Sequence, residues 1–178
     1  PIVRVSAKTK TGLETLVSTL ESLLHQKPAR LDLNHPRLPI DRVFSMSGFG
    51  TVVTGTLLDG QLALGDEVEI LPSGQRGRVR GLQTHKRKEE KAVPGSRTAV
   101  NISGVETDSI QRGEVVVHPG QYQATRRIDA SLRLLKDVSS SLKHNSEVKF
   151  FVGASEIIAV LRLLGTEELF PGQEGWIQ

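Results

Sequence analysis

Three arginines near the middle of the chain are spaced as if to bind phosphate groups. Arg76, Arg78 and Arg80 occupy every second position, so in a β-strand they would share one face at intervals of about 6.6 Å. Guanidinium groups in such a row could bind successive phosphates, because contact with a nucleic-acid backbone needs several cations and little sequence specificity. A strand face exposed to water would show the same pattern. Both interpretations stay open.

The segments on either side supply further candidates for contact with RNA. Lys86, Arg87 and Lys88 add three cations after the predicted strand, although two glutamates immediately offset them. Phe49 lies between two glycines, and it is the one aromatic residue placed in an exposed turn where it could meet a terminal base or an aminoacyl group.

A fourth arginine lies at the start of an alternating segment. In the range 97–102 a period of two predicts that the β-branched residues Thr98, Val100 and Ile102 point into a core. Arg97 would then lie on the outer face, where it is free to line a binding pocket.

The composition gives no support for enzymatic chemistry. No nucleophile, base and orienting group stand together, and no paired carboxylates mark a cleft. The 178 residues include no cysteine, and the five histidines show no spacing typical of metal ligands. We therefore predict a binding protein with no metal or cofactor in this chain. A net charge of +3 is compatible with a polyanionic partner.

No apolar span or secretion signal is visible in the sequence, which predicts a cytoplasmic protein without contact to a membrane.

Most of the elements that must position these residues are predicted strands. From Ile40 to Pro119, short β-branched runs alternate with turns that contain glycine, a rhythm typical of a small antiparallel β-barrel. A second all-β segment follows, and the chain stops as it enters another strand. We expect this second barrel to be truncated.

The beginning of the chain shows a different pattern. Ile2–Val5 is predicted to be a short buried strand, and Thr11 followed by Glu14 forms a capping box that predicts a helix with Thr11 at its N-cap. Apolar residues at helical spacing continue to about His25. Such a helix needs a surface to cover, either on a barrel or in a larger α/β domain. Prolines then predict an extended connector over residues 28–38.

Four motifs, taken in order, point to a known family. They are Ser6-Ala7-Lys8 followed by Thr11-Gly12-Leu13, the hairpin Gly48–Gly55, the segment Leu64–Val68, and the segment Gly95–Asn101. Their order and spacing resemble those of elongation factors that deliver aminoacyl-tRNA, and more particularly of selenocysteine-specific elongation factors.

This resemblance implies a division of the chain into parts of a longer protein. Residues 1–27 would be the C-terminal end of a GTPase domain, 28–38 a linker, 39–120 a translation-factor β-barrel and 121–178 part of a second barrel. The fold class is then mainly β: two consecutive small antiparallel β-barrels of translation-factor type, preceded by a strand–helix remnant of an α/β GTPase domain.

The resemblance also implies that the longer protein binds GTP and Mg²⁺. Ser6, Ala7 and Lys8 resemble the family's guanine-binding motif, in which the backbone N–H at the alanine position meets the guanine oxygen. The sequence contains no G-x-x-x-x-G-K-[ST] phosphate loop, no D-x-x-G switch and no N-K-x-D motif. We therefore expect that this chain does not itself hydrolyse GTP.

The same resemblance implies an aminoacyl pocket lined by Asp41, Arg42, His85 and Arg97. General elongation factors carry two acids where this chain has Asp41 and Arg42. A selenol is more acidic than a thiol, whose pKa is about 8.5, so selenocysteine should arrive as an anion and favour a fixed cation. Asp41 could orient Arg42 or bind the ammonium group of the amino acid.

We therefore predict the aminoacyl-tRNA-binding portion of a factor that delivers selenocysteyl-tRNA to the ribosome under the control of GTP. The family further implies a C-terminal domain that recognises an element in selenoprotein mRNA. One alternative is another translational GTPase, a general elongation factor or an initiation factor. The other is a stand-alone barrel that binds the ribosome.

Overall fold

Two compact units make up the chain in the computed structural model, which describes residues 1–28 and 30–178. The first unit is Pro1–Leu31 and the second is Asp32–Gln178. Residue 29, within the predicted connector, lies outside the described residues. No helix of the described residues is long and apolar enough to cross a membrane.

The first unit contains one helix, α1, which spans Leu13–His25. The helix is confirmed, but the predicted cap is wrong: Gly12 occupies the N-cap position with a φ of 76°, and no side chain caps the helix. Thr11 instead shares a hydrogen bond with the hydroxyl of Thr9. A Cβ at Gly12 would lie 2.2 Å from the carbonyl oxygen of Arg4, so the turn at this position requires glycine.

The strand predicted at Ile2–Val5 is also wrong, because no strand of the described residues includes this segment. A strand is stable only when neighbouring strands satisfy its backbone hydrogen bonds. None of the residues in α1 is buried.

The second unit contains sixteen strands and one turn of 3₁₀-helix. The strands are β1 Arg37–Met46, β2 Gly50–Thr56, β3 Leu62–Ala63, β4 Glu67–Leu71, β5 Gln75–Thr84, β6 Arg87–Glu89, β7 Lys91–Ala92, β8 Arg97–Ser103, β9 Val115–Val117, β10 Ala130–Arg133, β11 Leu142–Lys143, β12 Ser146–Val152, β13 Ser155–Leu161, β14 Leu163–Leu164, β15 Glu168–Leu169 and β16 Glu174–Ile177, and the 3₁₀ turn is Thr107–Ser109.

Six of these strands close into an antiparallel barrel. Their order is β4-β9-β1-β2-β8-β5, and pairing between β5 and β4 completes the circle, while β6 pairs with the C-terminal end of β5. The strands alternate as the sequence predicts: in β8, Thr98, Val100 and Ile102 are buried and Arg97 is exposed. The inward residues form one apolar core, with Leu38 and Val53 among its fully buried members. Burial of these residues provides the main free energy that holds the barrel together.

Strands β10 to β16 form smaller sheets around a second core, whereas β3 pairs with β7 and adds Leu62 and Ala92 to the first core. Leu161, Leu163 and Leu169 are the buried members of the second core. The longest pairing in this part is the β12–β13 hairpin, from Ser146 opposite Leu161 to Val152 opposite Ser155. The predicted fold class, mainly β with a translation-factor barrel, is confirmed. The strand β1 begins at Arg37, two residues before the predicted start of the barrel.

Candidate functional site

Both arginines of the predicted pocket lie on one outer face of the barrel. Arg42 in β1 pairs with Thr54 in β2, and Thr54 pairs with Ala99 in β8. Arg97 lies two positions before Ala99 on the same face of β8. The two arginines lie two strands apart across the sheet and two residues apart along the strand direction. Their Cα atoms are therefore about 12 Å apart. Flexible side chains of this length can converge on one ligand from such positions.

Asp41 connects the two arginine-bearing strands through a β-bulge. The register of β1 against β2 shifts between Ile40 and Arg42, so Asp41 is the extra residue, and a bulge of this kind turns a side chain in a new direction. The carboxylate of Asp41 accepts hydrogen bonds from both terminal nitrogens of Arg97. It also accepts one from the hydroxyl of Thr54, at 2.7 Å.

The structure gives Asp41 a partner that the sequence did not indicate. Its carboxylate orients the guanidinium group of Arg97. The reason is the bulge, which a sequence pattern of period two does not reveal. Two parallel N–H···O bonds fix the plane of a guanidinium group as well as its position.

The electrostatics of this site follow from the same contacts. The hydrogen bond from Arg97 holds the pKa of Asp41 below its ordinary value, and the Thr54 bond and the charges of Arg97 and Arg42 act in the same direction, while partial burial opposes them. Asp41 in turn raises the pKa of Arg97. The side chains are 28% and 52% exposed, so water screens the attraction, and the pair contributes more to geometry than to stability.

His85 lies in a turn at one end of the outer barrel face that carries Arg42 and Arg97. His85 and Lys86 have φ angles of 50° and 65° and form the two-residue turn between β5 and β6. Two-residue hairpin turns commonly have positive φ angles at both positions. Thr84, just before the turn, pairs with Thr98 in β8, which brings His85 to the level of Arg97 in the neighbouring strand. Lys86, together with Arg87 and Lys88, is exposed on this hairpin.

Apolar side chains continue the surface at the other end. Phe49 lies in the β1–β2 turn with 61% of its surface exposed, as predicted for this residue. Its carbonyl oxygen accepts a hydrogen bond from the side chain of Asn101. Phe44 and Met46 are also partly exposed and follow Arg42 along β1 at a period of two. Sequence reasoning missed these two residues, although that period was visible.

The arginines of β5 are partly paired with acids, and a bulge interrupts their row. Arg76 forms an ion pair with Glu69 at 3.6 Å, and Arg78 forms one with Glu67 at 3.2 Å. Arg80 lies at a bulge between Val79 and Gly81, so the regular spacing ends there. Since acids of β4 offset two of the three charges, the arrangement favours a solvated strand face over a track for phosphates.

The candidate guanine-binding residues belong to the first unit. Ser6, Ala7 and Lys8 precede α1, and the Ser6 hydroxyl oxygen accepts a hydrogen bond from the N–H of Thr9 at 3.3 Å. Ser6 also donates its own N–H to the carbonyl oxygen of Thr11. These contacts bend the segment into a turn. Across the described part of the chain, no group of three or more His, Cys, Asp or Glu residues is placed to hold a metal ion.

The closed barrel is similar in sequence and in fold to a domain of translation factors. Residues 50–117 match the family model for elongation factor Tu domain 2. The elongation factor 1-alpha of Saccharolobus solfataricus is 43% identical over 106 residues, which are 57% of this chain and 24% of that protein.

Within this class, the chain is related to selenocysteine-specific elongation factors. The factor of that name from Desulfomicrobium baculatum is 46% identical over 175 residues, or 97% of this chain and 27% of that protein. The structure of translation elongation factor SelB from Methanococcus maripaludis in its apo form superposes with a TM-score of 0.82 at 27% identity, over 97% of this chain and 41% of that one. The predicted resemblance is confirmed. The chain spans about a quarter of the length of these curated relatives.

Proposed function

We propose that this barrel binds the aminoacyl end of selenocysteyl-tRNA, within a longer factor that delivers this tRNA to the ribosome under the control of GTP. The observation that carries the proposal is the guanidinium group of Arg97, fixed by Asp41 on the same face as Arg42. The relationship to selenocysteine-specific elongation factors supports it.

The charge balance of the site suits an anionic side chain. Arg42 and Arg97 carry two positive charges and Asp41 one negative charge, which leaves a net charge of +1. Arg42 forms no ion pair with the described residues, so its guanidinium group is free to meet a ligand. Asp41 bonds the two terminal nitrogens of Arg97 but not its Nε. A selenolate would therefore find one free and one pre-oriented guanidinium group.

The attraction between the arginines and a selenolate is large enough to discriminate selenocysteine from serine. Opposite unit charges about 4 Å apart attract by about 4 kcal/mol at an effective dielectric constant near 20, before the cost of desolvation. A net gain of about 1.4 kcal/mol corresponds to a tenfold difference in affinity. Serine is neutral and gains nothing from the two arginines. The preference thus rests on charge and not on side-chain size.

Other parts of the longer protein would complete the activity. We assign to this chain a contact with the guanine base of GTP at Ser6, Ala7 and Lys8, and leave the phosphates and Mg²⁺ to the remainder of the GTPase domain. The second barrel would meet the tRNA arm, and a further domain would recognise an element in selenoprotein mRNA. The barrel itself binds and does no chemistry.

Competition binding with the longer protein tests the proposal. Selenocysteyl-tRNA and seryl-tRNA would compete for the GTP-bound factor, and Arg42→Glu should abolish the preference for the first while nucleotide binding stays intact. Arg78→Glu is the matched control, because Arg78 is an exposed arginine of the same barrel outside the site. Equal affinity of the unmodified factor for the two tRNAs would refute the role of selenium.

A general elongation factor is the second candidate, and the similarity to elongation factor 1-alpha favours it. Such a factor accepts many amino acids. Arg42 and Arg97 argue against it, because neutral and cationic side chains gain nothing from two guanidinium groups in the pocket. Binding of lysyl-tRNA and selenocysteyl-tRNA with equal affinity would support this alternative.

A further inference from the structure

The turn of the β12–β13 hairpin touches the first barrel. The hydroxyl of Ser155 donates a hydrogen bond to the carbonyl oxygen of Gly113 at 2.8 Å. A Cβ at Gly113 would lie 2.1 Å from the Ser155 hydroxyl oxygen, and a Cβ at Gly153 would lie 3.1 Å from the Cβ of Pro39. Glycine at both positions therefore allows the close approach. We call the contacts of Ser155 with Gly113 and of Gly153 with Pro39 the latch.

The latch acts on the part of β1 that precedes the site. Gly113 donates its N–H to the carbonyl oxygen of Ile40 at 2.8 Å, and Ile40 donates its own N–H to the carbonyl oxygen of Glu114 at 2.8 Å. The segment Gly113–Glu114 thus forms hydrogen bonds with both the N–H and the carbonyl oxygen of Ile40. Gly113 has a φ of 96°, which only glycine adopts at little cost. The next residue after Ile40 is Asp41, the bulged residue of the site.

The direction of the Asp41 side chain depends on this bulge. Its carboxylate meets Arg97 and Thr54 through three hydrogen bonds, and such bonds weaken steeply when the distance or angle departs from the optimum. A bulge lacks regular ladder bonds to fix it, so the residues that flank it must hold it in place. On one side that support is the pair of bonds at Ile40.

We infer that Ser155 is a positioning residue for the aminoacyl site: through Gly113 and Ile40, the β12–β13 hairpin fixes the bulge that aims Asp41 at Arg97. The effect on ligand choice rests on the proposed function, whereas the effect on Asp41 does not. A latch that only joined the hairpin to the barrel would leave the pKa of Asp41 unchanged.

The pKa of Asp41 reports the geometry of the site directly, because Arg97 is the main group that lowers it. Arg42 is the other charged residue that contributes. Arg112 and Glu156 line the cleft beside Ser155, and the substitution of Ser155 leaves both in place. The measurement is an NMR titration of the Asp41 carboxyl carbon in the 178-residue chain.

Ser155→Ala should raise the pKa of Asp41 toward its ordinary value, and Ser155→Thr, which keeps the hydroxyl, should restore it. Ser141→Ala is the matched control, since it removes a hydroxyl that donates to Glu168 beside the second core and should leave the pKa of Asp41 as it was. Gly113→Ala, which places a methyl group against Ser155, should act in the same direction as Ser155→Ala and more strongly. An unchanged Asp41 pKa in both Ser155→Ala and Gly113→Ala would overturn the inference.

A second arm of the experiment concerns the ligand. In the longer factor, Ser155→Ala should reduce the preference for selenocysteyl-tRNA over seryl-tRNA by up to about fivefold, the ratio expected for one lost hydrogen bond. If Ser155→Ala raises the pKa of Asp41 while the unmodified factor shows no preference between the two tRNAs, the latch is supported and the proposed function fails. If the unmodified factor shows the preference and the pKa does not move, the latch fails alone.

Discussion

Asp41 and Arg97 should contribute to stability jointly, with a coupling free energy large enough to measure. The two side chains share a bidentate ion pair, and Thr54 adds a third hydrogen bond to the same carboxylate. Exposed ion pairs are coupled by about 0.2–1 kcal/mol. Asp41 is 28% and Arg97 52% exposed, and the geometry is bidentate. We therefore expect a coupling near the upper end of the range, about 1 kcal/mol.

A double-mutant cycle measures this coupling. Asp41→Asn, Arg97→Gln and the double variant would be unfolded with urea, which leaves the ionic strength and hence the screening of charges unchanged. Circular dichroism follows the strands. The coupling is the difference between the effect of the double variant on the free energy of unfolding and the sum of the two single effects.

The pH dependence of the coupling has a defined sign. The pKa of Asp41 in the folded chain lies below its ordinary value of 3.8, so the stabilisation by the ionised carboxylate is complete above that value. It is lost as the pH falls through the lower pKa of the folded chain. The coupling should therefore be the same at pH 7 and pH 5 and decrease below about pH 4.

The comparison pair is Glu67 and Arg78, whose side chains are 72% and 59% exposed and share one contact at 3.2 Å. Its coupling should be below about 0.5 kcal/mol. A coupling between Asp41 and Arg97 under about 0.3 kcal/mol, the usual limit of additivity, would refute the reasoning that the bulge fixes the guanidinium group. A coupling that persists unchanged below the folded pKa of Asp41 would refute its electrostatic origin.

Two further predictions concern the framework of the site. Gly55→Ala should lower the free energy of unfolding by more than about 2 kcal/mol, because the new Cβ would lie 2.2 Å from the carbonyl oxygen of Pro39. The control is Gly81→Ala, whose new Cβ would lie 3.6 Å from its nearest neighbour and which should change the free energy of unfolding by no more than about 0.5 kcal/mol. Equal losses for the two variants in urea unfolding would contradict this prediction. Tyr122→Phe removes the hydroxyl that donates to the carbonyl oxygen of His35 at 3.0 Å and should cost about 1 kcal/mol. Faster amide exchange in the segment before β1, with slow exchange kept in the barrel core, is the expected signature, and uniform acceleration across the barrel would argue against a local role.

Much of the fold followed from short-range patterns. The alternation of β-branched and polar residues in β8 gave the inward and outward faces correctly, because side chains in a strand alternate whatever the strand's neighbours are. The leucines of α1 predicted a helix for the equivalent reason of a 3.6-residue period. Its start was predicted one residue early, because Thr11 fits a capping box in sequence while the close approach of Gly12 to Arg4 decides the actual cap.

The candidate site could be predicted in its residues but not in its contacts. Arg42 and Arg97 are separated by 55 positions, and only the pairing of both strands with β2 brings them to one face. The contact between Asp41 and Arg97 depends on a bulge, and nothing in the residue types around Ile40 signals one. Thr54 was missed because its role requires the register of β1 against β2.

The sequence alone determined which residues are apolar, where the glycines permit turns and which charges the chain carries, because these properties belong to each residue and its immediate neighbours. The tertiary structure decided which charges meet. Glu67 and Glu69 pair with the arginines of β5, whereas Asp41 turns to Arg97 and leaves Arg42 available. Barrel closure and strand register set these distances, and the energy of an ion pair depends on distance and exposure more than on the identity of its members.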